Sequence, residues 1–440
     1  MSFCSTELSQ SFTCTMKRIL IISPHYPPSN LAAVHRSRLF AQHLPAFGWE
    51  PVILTVDEKF YEETLDWNLH GLLPVGQHIE KVPAFKVTRP RLIGDIGLRA
   101  FFQLRKRALD LVKNEKIDFV YIPIPAFYVS LIGPYLHRKT GIKYGIDYID
   151  PWVHNFPGSE RVFSRHWFST KLAKFLEPRA VKNASLITGC SEGYYKGVQQ
   201  RNPALAKSCL FGAMPYGGES EDHRHVSDLA SEPYLFIRNK EKFQFVYAGA
   251  MLPKAYEPLE EIFKAISSDK KLFEQAEFHF IGTGKRPNVP ESYNIRPLAE
   301  KYRLWQHIVF EYPARIPYLD VLIHLNAADG IFILGSTEPH YTPSKVFQGV
   351  LSKKPILAVL HKDSTALNVI RETGAGISLS IDPERISTIA DAFPGVFNSY
   401  LQFAQNFVPA SVKMDLFEQY SAKSVTQTLA ALLDETIKLS

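Results

Sequence analysis

Glycines and cations are packed together at three places in the second half of the chain. Ile281-Gly282-Thr-Gly284-Lys285-Arg286 holds two of each, and Ala248-Gly249-Ala250-Met-Leu-Pro-Lys254 holds one glycine and one lysine. In Glu338-Pro-His340-Tyr-Thr-Pro343-Ser344-Lys345, Pro343 and Ser344 suit a helix start and Lys345 its first turn. Glycine lets backbone approach a ligand closely, and helix-end amides, ammonium and guanidinium groups hold phosphate oxygens. Together they form a diphosphate site in which fixed dipoles and cations, not a metal ion, would stabilise a leaving diphosphate. The first half carries two more such places: Pro24-His25-Tyr-Pro-Pro-Ser-Asn-Leu-Ala-Ala-Val-His-Arg36, a loop entering a helix, and Asp147-Tyr-Ile-Asp150-Pro-Trp152. Neither Gly-x-x-x-x-Gly-Lys-Ser/Thr nor Gly-x-Gly-x-x-Gly after the first strand occurs, which argues against P-loop and nicotinamide chemistry. Cys4, Cys14, Cys190 and Cys209 form no Cys-x-x-Cys pair and have no histidine at zinc-ligand spacing, so no metal centre or disulfide framework is expected. A reducing cytoplasm is the expected compartment.

The elements that would position these residues alternate. Lys17–Ser23 is a short apolar run ended by prolines, suited to a buried parallel strand, and a helical pattern over 32–47 leads to a second strand at Pro51–Val56. Strands at Phe119–Ile122, Tyr144–Ile149 and Ser185–Thr188 follow, interleaved with helices near 98–114, 130–138 and 170–183. A second series begins at Phe243–Ala248 and continues with strands at Glu277–Ile281, Ile308–Phe310, Gly330–Leu334, Ile356–Leu360 and Gly376–Ser380. The expectation is α/β: two Rossmann-like, doubly wound domains. The expected division is an extension at 1–15, disordered or non-native, with Met16 a candidate true start; a first Rossmann-like domain at 16–205; a polar linker at 206–242; a second Rossmann-like domain at 243–411; and a terminal helix at 412–440. In open parallel sheets ligands bind beyond the carboxyl ends of the strands, which is where all five stretches fall.

Composition fits this reading. The 440 residues are 45% hydrophobic and 21% charged, which excludes a disordered or collagen-like chain. Residues 1–15 lack the charge and apolar core of a secretory signal. Val120–Leu136 is free of charge but short and proline-broken, so it is read as buried strand, loop and helix start. Lys86–Lys116 holds nine basic residues (including Arg89, Arg91, Arg105, Lys106 and Arg107) against three acidic ones, an excess equal to the net charge of +6. Aromatic and apolar residues interleave with these cations, and again over 161–182, a pattern that suits an anionic membrane surface as well as a solvated helix. No nucleic-acid module accompanies the charge.

KRILIISPHYPPSNLAAVHRSRLFAQHL…GWEPVILTV, DYIDPW, FVYAGAMLPK, FHFIGTG and TPSKVFQGVLSKKPILAVL…VIRETGAG stand in the order and spacing of the landmarks of family 4 retaining glycosyltransferases, and the chain resembles that family over about residues 16 to 430. The resemblance implies the GT-B fold, with a nucleotide sugar held by the second domain, an acceptor held mainly by the first, and metal-independent transfer in the cleft with retention. It implies no cofactor beyond the nucleotide-diphosphate sugar as co-substrate. Carried over position by position, Gly249, Lys254, Gly282, Gly284, Arg286, Ser344, Lys345 and Gln348 would meet the donor. Asp150 and Arg36 would meet the acceptor, with Asp150 and His340 catalytic. Two departures stand out: His340 and Gln348 occupy the positions of the family's paired glutamates, and Ala250 replaces an expected arginine.

Plainer readings stand beside these. Asp150 could cap a turn, Lys254 and Lys345 could be solvated, Gln348 could line the domain interior, and His25, His154 and His340 could be ordinary loop residues. The expected activity is transfer of a sugar to a saccharide or lipid-linked acceptor in polysaccharide or glycolipid assembly, in the cytoplasm or at the inner face of its membrane. The alternatives are a catalytically silent GT-B partner protein and a sugar-nucleotide epimerase.

Overall fold

The computed structural model describes residues 16–88, 93–153, 161–228, 231–286 and 289–439. Cys4, Cys14, Arg89, Arg91 and His154 lie outside them. Seven parallel strands form the first sheet: β1 (Lys17–Ile22), β2 (Trp49–Val56), β3 (His78–Val82), β4 (Phe119–Ile124), β5 (Lys143–Tyr148), β6 (Leu186–Gly189) and β7 (Leu210–Ala213), in the order β3-β2-β1-β4-β5-β6-β7. Six form the second: β8 (Phe243–Ala248), β9 (Ala276–Ile281), β10 (Val309–Tyr312), β11 (Gly330–Leu334), β12 (Ile356–His361) and β13 (Gly376–Ile381), in the order β10-β9-β8-β11-β12-β13. In each sheet the order reverses beside the first strand, at β1/β4 and at β8/β11, and that reversal leaves a crevice beyond the carboxyl ends. Pro123 would break a ladder in a central strand, but β4 pairs with β1 only as far as Tyr121.

The central strands are buried on both faces, as their unbroken apolar runs require. One face of the first sheet is covered by helices Phe101–Asn114, Ile132–Thr140, Arg165–Val181 and Glu192–Arg201 through a core that includes Leu104, Leu136, Ala180 and Val198. The other face is covered by helix Ala32–His43 and by the last helix, Ala422–Lys438, whose Val425, Leu429 and Leu433 pack on Ile19, Ile21 and Phe40. Lys17 Nζ and Trp49 Nε1 both donate to Asp434 Oδ1, at 2.5 and 3.1 Å.

Several elements depart from the sequence reading. The stretch 206–242, expected as a linker, supplies β7 to the first sheet and helix Ser220–Asp228. Helix Thr388–Gln405 was not expected, and it seals one face of the second sheet with Phe393, Phe397 and Tyr400. The expected terminal helix over 412–440 begins only at Ala422, and it belongs to the first domain's core, not the second's. The chain therefore passes between the domains twice. The passages lie side by side, with Gly218 N donating to Tyr420 O at 2.9 Å and Ala422 N to Gly218 O at 2.8 Å.

Polar and ring contacts join the domains across the cleft. Asp66 Oδ2 accepts from Tyr318 N at 2.6 Å, so a first-domain carboxylate satisfies the open first amide of helix Tyr318–Ala327. Arg38 pairs bidentately with Asp222 at 3.1 and 2.5 Å, and the Tyr318 hydroxyl donates to the same carboxylate at 3.0 Å.

Candidate active site

A cavity of about 310 Å³ opens between the domains where the carboxyl ends of both sheets converge. Its first-domain wall includes Asn30, His35, Arg36, Asp150, Tyr194 and Tyr216. Its second-domain wall includes Gly249, Ala250, Gly282, Arg315, Tyr318, Tyr341, Ser344, Lys345 and Gln348.

The second-domain wall is cationic. Lys345 and Gln348 are three residues apart on helix Lys345–Leu351 and so share the face turned to the cavity. Enclosure of the Lys345 ammonium, and secondarily the Arg315 guanidinium, bring its pKa down to about 8. Arg315 is itself lowered by burial, and His35 is driven well below the ordinary imidazole value by burial, then by Arg38 and Lys345. A positive field thus fills this side, and an anion placed there would relieve it. Gly249 and Gly282 have φ of +144° and +75°, conformations suited to glycine, and the space where their side chains would stand is open. Gln348 is 8% exposed and interacts with the Tyr318 hydroxyl, while its Oε1 is buried without a hydrogen-bond partner. A buried acceptor left open beside a cavity calls for a donor from a ligand.

Asp150 faces this wall from the loop after β5. It is accessible to solvent within the cleft yet surrounded by protein. That enclosure, followed by the Glu338 carboxylate, pushes its carboxyl up to about 6.

Arg36, Asp150, Gly249, Gly282, Ser344, Lys345 and Gln348, all singled out from sequence, come together in the lining. Four others stand apart from it. Lys254 turns to Glu338, with Nζ 3.2 Å from Oε1. Arg286 is exposed, and its amide donates to Ser292 Oγ. A Cβ on Gly284 would stand 2.7 Å from Pro313 O, so this glycine serves the packing of two loops. His340 packs its ring edge-on against Tyr194 at 5.2 Å and its Cβ over Gly193, and Tyr341 takes the cavity position. Arg36 lines the wall, but its guanidinium is committed: Nε and Nη2 donate to Asp147 at 2.5 and 3.1 Å, and Nη1 to Pro215 O at 2.7 Å. Three of its five N–H groups are thus engaged within the first domain, and moving the guanidinium would strand the Asp147 carboxylate in the core.

Sequence reasoning missed Arg315, His35 and the cavity tyrosines. Arg315 lies three residues beyond β10, in the same strand-end position that singled out the other stretches, but no glycine marks it. Among the described residues, the one group of three acid and histidine side chains close enough to share an ion is His78, Glu80 and Glu115, away from the cavity. Arg18 and Arg107 already pair with its carboxylates.

Two doubly wound sheets facing across a cleft, with the cavity at both switch points, define an α/β protein of the GT-B architecture. Sucrose-phosphate synthase from Thermosynechococcus elongatus shares the fold with a TM-score of 0.64 at 12% identity, over 96% of this chain and 100% of that one. HepE of Anabaena, solved with UDP and glucose, gives 0.62 at 14% over 95% and 100%, and a Rickettsia africae glycosyltransferase gives 0.61 at 14% over 97% and 100%. No protein-family model and no curated protein sequence matches the chain.

Proposed function

We propose that the protein is a retaining glycosyltransferase of the family 4 type, which moves a sugar from a nucleoside diphosphate to a saccharide or lipid-linked acceptor in polysaccharide or glycolipid assembly. The observation that carries this is the pairing of Arg315 and Lys345 on one wall of the cleft with Asp150 on the other. The two cations hold the diphosphate and stabilise its charge as the glycosidic bond breaks, which is the task a metal ion would otherwise perform. Gly249 and Gly282 admit the nucleotide to the backbone, Ser344 stands at the helix entry beside it, and the open Oε1 of Gln348 accepts from a ribose hydroxyl. A carboxyl with a pKa near 6 is ionised at neutral pH yet basic enough to draw the proton from an acceptor hydroxyl. Uridine diphosphate, present in the HepE structure, is the first nucleotide to test.

Calorimetric titration separates the parts. Arg315→Ala and Lys345→Ala should each weaken nucleoside diphosphate binding by about tenfold or more, the scale of a charged hydrogen bond, while leaving nucleoside binding near wild type. Equal losses for both ligands would displace the diphosphate from these residues. Asp150→Asn should bind donor normally and release little nucleoside diphosphate when acceptor is supplied. A second reading, a silent partner of an active transferase, draws on Ala250 and Gln348 standing where the family carries charge. It predicts nucleotide binding without turnover in the wild-type protein.

A further inference from the structure

Five of the sixteen exposed large apolar side chains of the described residues fall within fourteen residues: Val162, Phe163, Phe168, Leu172 and Phe175. Phe168, Leu172 and Phe175 are spaced four and three apart on helix Arg165–Val181, so they form one outward stripe. The opposite side, Ala173, Ala180 and Val181, is buried in the domain. Around the stripe stand Arg161, Arg165, Lys171, Lys174, Arg179 and Lys182, all exposed. The only carboxylate from 161 to 182 is Glu177, which is fully buried and held by Arg201 at 2.7 and 2.8 Å. Among the described residues of this segment, the face therefore shows solvent apolar side chains and positive charge with no carboxylate between them.

The other basic segment does not match it. Arg99 is buried and donates to the carbonyls of Phe85 and Phe60, Arg107 pairs with Glu80, and Arg105 lies over the rings of Phe102 and Tyr135.

We propose that helix Arg165–Val181 and the residues leading into it dock on an anionic lipid bilayer. Apolar side chains enter the headgroup boundary while the flanking cations meet lipid phosphates. Lys171 near the Trp167 ring and Arg179 over the Phe175 ring, at 5.5 and 3.6 Å, already set cation beside aromatic as such an interface requires. A second copy fits poorly, since a two-fold contact would bring this positive face against itself. Phe163, Phe168 and Phe175 also offer a base stacking surfaces, but Val162 and Leu172 among them give it nothing to stack on or bond to, whereas an acyl boundary takes all five, and oligonucleotide binding is one of the outcomes tested below.

The placement gives docking a use. The helix lies in the crossover from β5 to the parallel β6, so it starts at the sheet edge that carries Asp150 and runs away from it. Val162, Phe163 and Phe168 thus stand at the cleft end, where a lipid-borne acceptor would enter. This use rests on the glycosyl-transfer reading, but the docking does not.

Flotation with vesicles tests it. The full chain should rise with equal parts phosphatidylcholine and phosphatidylglycerol at low salt, rise less at high salt, and stay behind with phosphatidylcholine alone. Arg165→Ser, Lys171→Ser and Lys174→Ser combined should cut partitioning by about a hundredfold, at about fivefold per cation. Phe168→Ser with Phe175→Ser should also cut it, with the salt dependence kept. Brominated lipid should quench a fluorescence component that Trp167→Phe removes. The substituted cations and phenylalanines are solvent-facing, Trp167 is half-buried, and an unchanged melting temperature confirms that each variant is folded. A wild-type chain that ignores the mixed vesicles at low salt overturns the proposal. So does a cation variant that floats like wild type, or dimerisation or oligonucleotide binding through the same side chains in place of flotation. Nucleoside diphosphate titration on the same preparation separates the two readings: binding without flotation overturns docking alone, and flotation without binding overturns glycosyl transfer alone.

Discussion

Lys345 and Asp150 face each other with pKa values drawn together, one down to about 8 and the other up to about 6. If one must be charged to hold diphosphate and the other ionised to take a proton, kcat/KM should follow a bell. Its acid limb should lie near pH 6 and its alkaline limb near pH 8. Bound diphosphate favours the ammonium, so the alkaline limb of kcat should lie higher, and a pH-independent rate across that range would contradict both assignments. The Asp150 shift also bears on stability. Its folded pKa lies above the unfolded value, so ionisation favours the unfolded chain between about pH 4 and 6, and the cost persists above that window. Asp150→Asn should therefore raise the melting temperature at pH 7.5 and leave it nearly unchanged at pH 4. Lys254→Ala should act on this pair at a distance. It removes the cation facing Glu338, the carboxylate that raises Asp150, so the acid limb should move upward while nucleoside diphosphate affinity changes less than about twofold, the scale of an exposed ion pair. At this scale the sequence showed Asp150, Lys345 and Gln348 because each follows a strand or opens a helix within a recognisable motif. It could not show that Lys254 turns to Glu338 or that Arg36 pairs with Asp147, since those partners lie 84 and 111 residues away.

The cap that Asp66 places on helix Tyr318–Ala327 is a local device acting between domains. Asp66→Ala should cost about 1 kcal/mol, as removal of a helix cap does, and should widen the particle by small-angle scattering as the cleft loosens. Asp66→Asn keeps an acceptor oxygen and should lose less. An Ala variant of wild-type stability would mean that water replaces the carboxylate without penalty. Elements were legible in proportion to their burial. β8 and β11 have the bounds read from their apolar patterns, whereas β3, an edge strand reading His-Ile-Glu-Lys-Val, carries no such run. β7 passed as linker because four residues beginning Leu210-Phe211 are too few to show a period. Helix Thr388–Gln405 was obscured by Pro394 within it.

At the scale of the molecule, the two domains are not two consecutive lengths of chain. Helix Ala422–Lys438 returns to the first sheet and buries Leu433 completely. Leu433→Ala should cost roughly 2–5 kcal/mol in urea denaturation, and the loss should appear in the transition of the first domain, not the second. A loss confined to the second domain would refute that coupling. The doubly wound plan of each sheet was readable from the alternation of strand and helix. The destination of the last helix was not, because an amphipathic stripe fits either domain. Its return also fixes an order of events during synthesis. Ribosomes add about 5–20 residues per second, and both sheets are translated before the final helix appears. The domain begun first is thus completed last. Until then Ile19, Ile21 and Phe40 lack the cover the helix provides. A nascent chain arrested before Ala422 would present that apolar face to chaperones, and releasing the remaining residues would withdraw it.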